Sequence, residues 1–147
     1  TMLPIDEQGI PLCMYDEYKH NPHAYIKLWK HHGAQREANR MNEIAMERGE
    51  EFLSRYGGRI SSEWLFPKIW QIKREAPEIY DRAYRFIEVA DWLVMQLTGE
   101  ERRNSCAAGY KAMWHKQKGY PGNDFFRALD PGMEKEAEEK GITIHEW

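Results

Sequence analysis

The sequence predicts a mixed α/β fold that is rich in helix and has only short strands. Its 147 residues suit one domain with a single core, and 41% of them are hydrophobic. Apolar residues recur at helical spacing in three stretches, whereas the segments that alternate between apolar and polar residues are short. We expect these short strands to complete a sheet whose other strands lie outside this sequence.

The first elements are predicted to be a hairpin and an extended segment. Residues 2–5 and 10–14 flank residues 6–9, a turn-forming cluster whose glycine can adopt a positive φ. Residues 24–29 then alternate, which predicts an extended segment that ends near Trp29. A chain that begins directly with a hairpin also suggests a piece of a longer protein.

Three longer helices are predicted, over residues 33–48, 65–76 and 87–99. Each has apolar residues at spacings of three or four, which place them on one face. These residues are Ala34, Ala38, Met41 and Ala45 in the first helix, Leu65, Ile69 and Ile72 in the second, and Ile87, Ala90, Val94 and Leu97 in the third.

The ends of these helices are marked by glycine and proline. Gly49 can end the first helix, although residues 50–56 can add one or two further turns. Pro67 suits the first turn of the second helix, and Pro77 can begin a short helix after it. Gly99 is the expected cap of the third helix.

The remaining segments are shorter. Residues 84–89 predict a strand, and residues 104–109 predict a second strand that is packed closely because its residues are small. A turn leads into a short helix over residues 125–129. An acidic helix is expected from Pro131, and a terminal strand over residues 142–147.

Composition excludes several classes of protein. The net charge of −3 arises in residues 131–147, and no basic patch suited to nucleic acid is visible. No apolar run approaches the roughly 20 residues that a membrane helix needs. Cys13 and Cys106 are far apart, so we expect reduced thiols in a cytoplasmic protein.

Motifs for metal and nucleotide binding are missing from the sequence. The pairs His20 with His23 and His31 with His32 do not supply a zinc ligand set with two distant cysteines, and we expect no metal site. Neither a phosphate-binding loop nor a dinucleotide fingerprint occurs. The large aromatic residues at helical spacing are most simply core residues.

Two residues remain open to a binding function. Trp29 ends an alternating segment beside lysines and histidines, so its ring could pack in the core or form an apolar wall against a sugar. Lys111 follows Gly109 and Tyr110, and it could be a surface lysine or donate to substrate hydroxyls. The residues alone do not decide between these alternatives.

Several motifs, taken in order, resemble a known family. They are "KLWKHH" at 27–32, "RYGGRISSEW" at 55–64, "PKIWQI" at 67–72, "APEIYDRA" at 76–83, "ADWLVMQLTGE" at 90–100 and "NSCAAGYKAMWHK" at 104–116. Together they are similar to the FGGY carbohydrate kinases, and within that family to the ribulokinase branch. The resemblance covers residues 1–130, while the acidic segment 131–147 is not placed by it.

The resemblance implies a function for an intact enzyme. Such a kinase would use ATP and Mg to phosphorylate L-ribulose, or a related ketopentose, at its terminal hydroxyl in arabinose catabolism. It would have two ribonuclease-H-like domains of the actin/hexokinase type that close around the sugar and ATP·Mg. Residues 1–130 would be an internal part of the N-terminal, sugar-binding domain.

The resemblance also assigns two substrate-binding residues. Lys111 matches the lysine of the family that contacts substrate, and Trp29 matches a tryptophan of the sugar pocket. Many FGGY kinases have Trp-x-Asp-x-Arg where this chain has Trp29 followed by Lys-His-His-Gly. This departure fits the ribulokinase branch and argues against glycerol or xylulose as substrate.

The same comparison predicts that the chain is inactive by itself. The phosphate turn, the catalytic aspartate and the adenine-site glycines have no counterpart in it. We therefore expect no catalytic, cofactor-binding or metal residue here, and no tight binding of ATP or Mg to this chain alone. The alternatives are an independent binding or scaffold module and a truncated remnant, and unpaired strand edges could make the chain a homo-oligomer.

Overall fold

A computed structural model describes residues 1–134 and confirms the mixed α/β fold that is rich in helix. Within these residues the regular elements are β1 (Met2–Ile5), α1 (Gln35–Glu47), α2 (Leu65–Glu75), α3 (Pro77–Arg82), β2 (Arg85–Glu88), α4 (Val89–Thr98), α5 (Ser105–Lys111) and α6 (Asn123–Leu129). Single turns of 3-10 helix occupy Leu12–Met14 and Pro22–Ala24, and a longer one occupies Glu51–Tyr56.

The sheet of the described residues has two strands. β1 and β2 are antiparallel, and Leu3 lies opposite Ile87. On its other side β1 meets the extended segment only at Lys27, whose backbone exchanges hydrogen bonds of 2.8 and 3.2 Å with that of Met2. The predicted extended segment is therefore formed at one residue, and it does not continue as a strand to Trp29.

The predicted N-terminal hairpin is wrong in its second arm. The turn itself forms, because the Asp6 N–H donates to the Ile10 carbonyl at 3.0 Å and Gly9 has a φ of 79°. Only one bridge follows, between Ile5 and Pro11. Proline has no N–H to continue a ladder, and the chain turns into the 3-10 helix at Leu12–Met14.

The predicted helices of the middle region are confirmed. α1 lies within the predicted 33–48, the 3-10 turn follows it, and α2 has Pro67 in its first turn. α3 starts at Pro77, and α6 spans the predicted short helix. Gly99 caps α4 with a φ of 74°.

The core lies between α1, α2, α6 and the sheet. Its centre is aromatic, with the Phe66 and Phe126 ring centroids 4.8 Å apart and those of Phe52 and Phe125 5.1 Å apart. The large aromatic residues of the middle region are buried, as predicted. Trp92 is the exception, because it is only partly buried. It packs against a smaller cluster formed by Leu3, Ile5 and Ile87.

The strand predicted over residues 104–109 is wrong, because this segment is helix α5. The Asn104 side chain accepts a hydrogen bond from the Ala107 N–H at 3.0 Å and so caps the helix. Alanine favours helix more than any other residue, and a cap followed by two alanines outweighs the strand pattern. The segment is also not uniformly packed, since Ala108 is buried while Cys106 and Tyr110 are exposed.

Helix α4 has its apolar stripe on the outside. Leu93, Val94 and Leu97 are 53%, 47% and 79% exposed. Ile87, which was predicted at the start of this helix, instead belongs to β2. None of the helices between residues 1 and 134 has the length and apolar character needed to cross a membrane. The terminal strand predicted at 142–147, and the acidic helix beyond residue 134, lie outside the described residues.

Candidate functional site

An open cavity of about 530 Å³ lies where the start of α4, helix α5 and the turn around Trp29 approach one another. Trp29 and Lys111, the two residues that the sequence resemblance assigned to the sugar, both line it. Apolar side chains of α4 and α5 form much of the rest of its wall, including Val94 and Ala107. The fold therefore brings the two predicted residues into one cavity.

Lys111 is held in the wall of this cavity by two contacts. Its Nζ lies 4.8 Å from the centroid of the Trp29 ring and 3.2 Å from Oε2 of Glu88. The Lys111 and Glu88 side chains are only 15% and 13% exposed, whereas Trp29 is 49% exposed. An ammonium over an indole face is attracted by the ring quadrupole. Lys111 is thus not an ordinary surface lysine, although its contact with a sugar stays a prediction.

Lys111 and Glu88 lie at the ends of regular elements, and Trp29 lies in a turn. Lys111 is the last residue of α5, and Glu88 is the last residue of β2, directly before α4. Trp29 lies in a turn that the His31 N–H closes by donating to the Leu28 carbonyl at 3.1 Å. Turns and element ends can present side chains to a cavity without exposing unpaired backbone groups in the core.

A second set of charged residues lines the cavity behind Lys111. Burial raises the pKa of the Asp91 carboxyl, although its Oδ1 accepts the Asn104 N–H at 3.0 Å. Burial lowers the pKa of Arg103, while Glu101 and Asp91 act in the opposite direction. Nη2 of Arg103 donates to Oε1 of Glu101 at 2.9 Å. This wall is polar but internally paired.

Sequence reasoning missed Glu88, Asp91 and Arg103 as residues of the site. Glu88 is a carboxylate directly after the buried pair Phe86 and Ile87, which is the local signal that could have pointed to it. Its partner Lys111 is distant in sequence, so the pairing itself depends on the fold. Asp91 lies in the segment predicted as the third helix, and Arg103 lies just after it. Neither was considered as a residue of the site.

Among the described residues the histidines lie outside this cavity, whereas Cys106 lines it. His23 Nε2 is 3.2 Å from Oε2 of Glu75, and His32 Nδ1 is 3.4 Å from the Ser62 hydroxyl. Across residues 1–134, no three histidine, cysteine or acidic side chains are grouped so that they could hold a metal ion. Cys13 and Cys106 are both free thiols.

The cavity combines an apolar ring with hydrogen-bonding groups. The Trp29 ring offers a flat apolar face to C–H groups, Lys111 can donate hydrogen bonds, and the Glu88 carboxylate can accept them. A sugar presents both kinds of surface, since hydroxyls and C–H groups alternate around its carbon chain. This combination suits a ligand of that kind, and no acid, base or nucleophile is assigned among these residues.

The sequence is similar to individual known proteins. No family profile matches the sequence. Individual curated proteins do match it, among them several that are named ribulokinase. The chain is 61% identical over 140 residues to the ribulokinase of Geobacillus thermodenitrificans, which covers 95% of this chain and 25% of that enzyme.

Other relatives have the same name. The chain is 60% identical over 134 residues to the ribulokinase of Halalkalibacterium halodurans, covering 91% of this chain and 24% of the relative. It is 51% identical over 140 residues to that of Mycolicibacterium smegmatis, covering 95% and 25%. The chain spans about a quarter of the length of the curated relatives it matches. These matches confirm the resemblance to FGGY kinases of the ribulokinase branch, over a segment of that size.

Proposed function

We propose that this chain is part of a carbohydrate kinase that transfers the terminal phosphoryl group of ATP to L-ribulose in arabinose catabolism. Residues 1–130 would belong to its N-terminal, sugar-binding domain. The convergence of Trp29, Lys111 and Glu88 in one open cavity is the observation that carries this proposal. The ribulokinase names of relatives at 44–61% identity support it.

In this proposal each residue of the cavity has a distinct part. The Trp29 ring packs against the carbon face of the sugar, and the Lys111 ammonium donates to sugar hydroxyls. Glu88 holds Lys111 over the ring by its contact of 3.2 Å and can accept a hydrogen bond from a further hydroxyl. Binding of this kind orients the substrate, which is a large part of phosphoryl-transfer catalysis.

The described residues do not fit ATP and Mg. The sequence has no glycine-rich loop to cradle phosphates, and no three histidine, cysteine or acidic side chains of residues 1–134 are grouped to hold a metal ion. We therefore assign ATP and Mg to other parts of the intact enzyme and derive no step of phosphoryl transfer from this chain. Its two free cysteines support a cytoplasmic location for that enzyme.

Release of ADP tests the proposal directly. The complete enzyme should release ADP when ATP, Mg and L-ribulose are all present, and glycerol or xylulose should be poorer substrates. The 147-residue chain alone should release none. Turnover by the isolated chain would contradict the expectation that it is inactive, and no turnover of L-ribulose by the complete enzyme would overturn the proposed activity.

The exposed stripe of α4 also favours a second candidate, an independent binding module derived from the kinase. Leu93, Val94 and Leu97 form an apolar surface of the kind that mediates contacts with other protein segments. The coding sequence on both sides of this chain separates the candidates. Kinase sequence in the same frame supports the enzyme, whereas stop codons support a separate module or a remnant.

A further inference from the structure

Lys68 is a lysine whose side chain is fully inside the protein. It is the fourth residue of α2 and only 1% exposed. An ammonium group taken out of water is costly unless it is paired or hydrogen-bonded. Burial accordingly lowers the pKa of Lys68, while the charges of Glu88 and Glu63 act to raise it. A specific contact is therefore needed to offset the cost of burying the Lys68 ammonium group.

That contact is the backbone of the turn that carries Trp29. Nζ of Lys68 donates to the carbonyl oxygen of Leu28 at 3.0 Å. The same oxygen accepts the His31 N–H at 3.1 Å, so one atom receives both the bond that closes the turn and the bond that ties it to α2. Leu28 is the residue directly before Trp29, which means that the anchored peptide group is adjacent to the indole.

The two sides of this contact differ in rigidity. α2 is buried along most of its length, and its neighbours Phe66 and Ile72 are 1% and 0% exposed. The turn residues Leu28 and Trp29 are 47% and 49% exposed. A buried helix therefore holds an exposed turn through a charged hydrogen bond, which is stronger than a neutral one.

We propose that Lys68 is a positioning residue, which holds the turn at Leu28 so that the Trp29 ring stands against Lys111 in the cavity. It acts through the backbone and touches no ligand itself. The part of this inference that concerns sugar binding rests on the proposed function. The part that concerns the position of Trp29 does not.

Lys27 provides a matched control. It is also a buried lysine, at 5% exposed, and its Nζ also donates to a backbone carbonyl, that of Pro22, at 3.2 Å. That carbonyl lies outside the Trp29 turn, and the Lys27 backbone is fixed independently by its two bonds to Met2. Lys27→Met thus removes a similar buried hydrogen bond without releasing Leu28.

The first test uses the chain itself. In ¹H–¹⁵N spectra, each tryptophan gives one indole signal, and Trp29→Phe identifies that of Trp29. Lys68→Met should shift the Trp29 signal more than those of the other five tryptophans. Lys27→Met should not single it out. An unmoved Trp29 signal in a folded Lys68→Met protein would overturn the proposal.

A second test uses the complete enzyme. Lys68→Met should raise the KM for L-ribulose by about tenfold, the loss expected for one charged hydrogen bond, and leave the KM for ATP unchanged. In the background of Trp29→Ala the same substitution should have little further effect, because Lys68 acts through that ring. Additive effects would show a general structural role instead and overturn the proposal.

The two tests distinguish a failure of this inference from a failure of the proposed function. If the wild-type enzyme does not phosphorylate L-ribulose, the proposed activity is wrong, and the indole signal still decides whether Lys68 positions Trp29. If the enzyme is active and Lys68→Met behaves as Lys27→Met does in both measurements, only the inference about Lys68 is wrong.

Discussion

The ammonium group of Lys111 lies 4.8 Å from the centre of the Trp29 ring, although the two residues belong to a helix end and a turn that are distant in sequence. The contact places a polar group and an apolar ring side by side in the cavity. Such a contact contributes about 0.5–2 kcal/mol, more where it is shielded from water.

Lys111→Ala is predicted to harm the use of the sugar in the complete enzyme. We expect kcat/KM for L-ribulose to fall by roughly ten- to a hundredfold, as for the loss of a charged hydrogen bond of about 1.5–3 kcal/mol. Steady-state kinetics with varied sugar measures this. Lys116→Ala removes an exposed lysine of the same segment and should have no effect. An unchanged kcat/KM in Lys111→Ala would show that Lys111 contacts no substrate.

Trp29→Ala is predicted to weaken sugar binding more than ATP binding. The indole supplies apolar surface, and its loss should raise the KM for L-ribulose by roughly tenfold or more, which Trp29→Phe should partly restore. Titration of each substrate separately measures the two effects. Equal losses for sugar and ATP would indicate a folding defect rather than a lost sugar contact.

Most of the helical framework could be predicted from local sequence. α1 and α2 have strong apolar periodicity, and Pro67, Pro77 and Gly99 mark element ends by properties of single residues. The errors arose where one local signal outweighed another. Pro11 stopped the second arm of the hairpin, and the Asn104 cap turned an expected strand into α5.

The site was predictable only in part, and for a different reason. Trp29 and Lys111 were assigned through a family resemblance, since their own chemistry favoured core packing for Trp29 and a surface position for Lys111. Glu88 could not be assigned in that way, because its importance depends on a pairing across the fold. Lys68 was visible only as one residue of a motif, and nothing local indicated that it is buried against Leu28.

Asn42 is predicted to be important for stability. Its Nδ2 donates to the carbonyls of Ala38 and Ile60 at 2.8 and 2.9 Å, and its Oδ1 accepts the Ile60 N–H at 2.6 Å. Asn42→Ala leaves buried backbone groups of Ile60 without these partners, which should cost about 1–3 kcal/mol. Urea unfolding measures the loss. Asn39→Ala, on the exposed side of the same helix, should change stability by less than about 0.5 kcal/mol.

The stability of the chain is predicted to fall in mild acid. Burial lowers the pKa of both His23 and His31, and for His23 this outweighs the nearby carboxylate of Glu75. Below the unfolded pKa of about 6.5 the unfolded chain then binds more protons than the folded one. The stabilisation is fully present above that pH and is lost as the pH falls through it.

Urea unfolding at about pH 7.5 and about pH 5.5 brackets this transition and avoids most carboxylate titration. His23→Gln should reduce the difference in unfolding free energy between the two conditions. His20→Gln removes an exposed imidazole and serves as its control. If the wild-type protein were equally stable at both pH values, the assignment of these histidines as buried neutral groups would be wrong.

The apolar stripe of α4 leads to opposite expectations for the chain and for the complete enzyme. Leu97 is 79% exposed here, so Leu97→Lys should change the stability of the chain by less than about 0.5 kcal/mol. It should also reduce self-association, which sedimentation velocity can measure. In the complete enzyme the stripe should be covered, and the same substitution should lower the melting temperature, because a buried unpaired charge is costly.

Thr98→Lys places the same charge on the adjacent exposed residue of α4 and should be tolerated in both proteins. A melting temperature of the complete enzyme that is unaffected by Leu97→Lys would mean that the stripe remains in solvent there. The apolar stripe would then be exposed in the complete enzyme as well, which would support a binding surface on this helix.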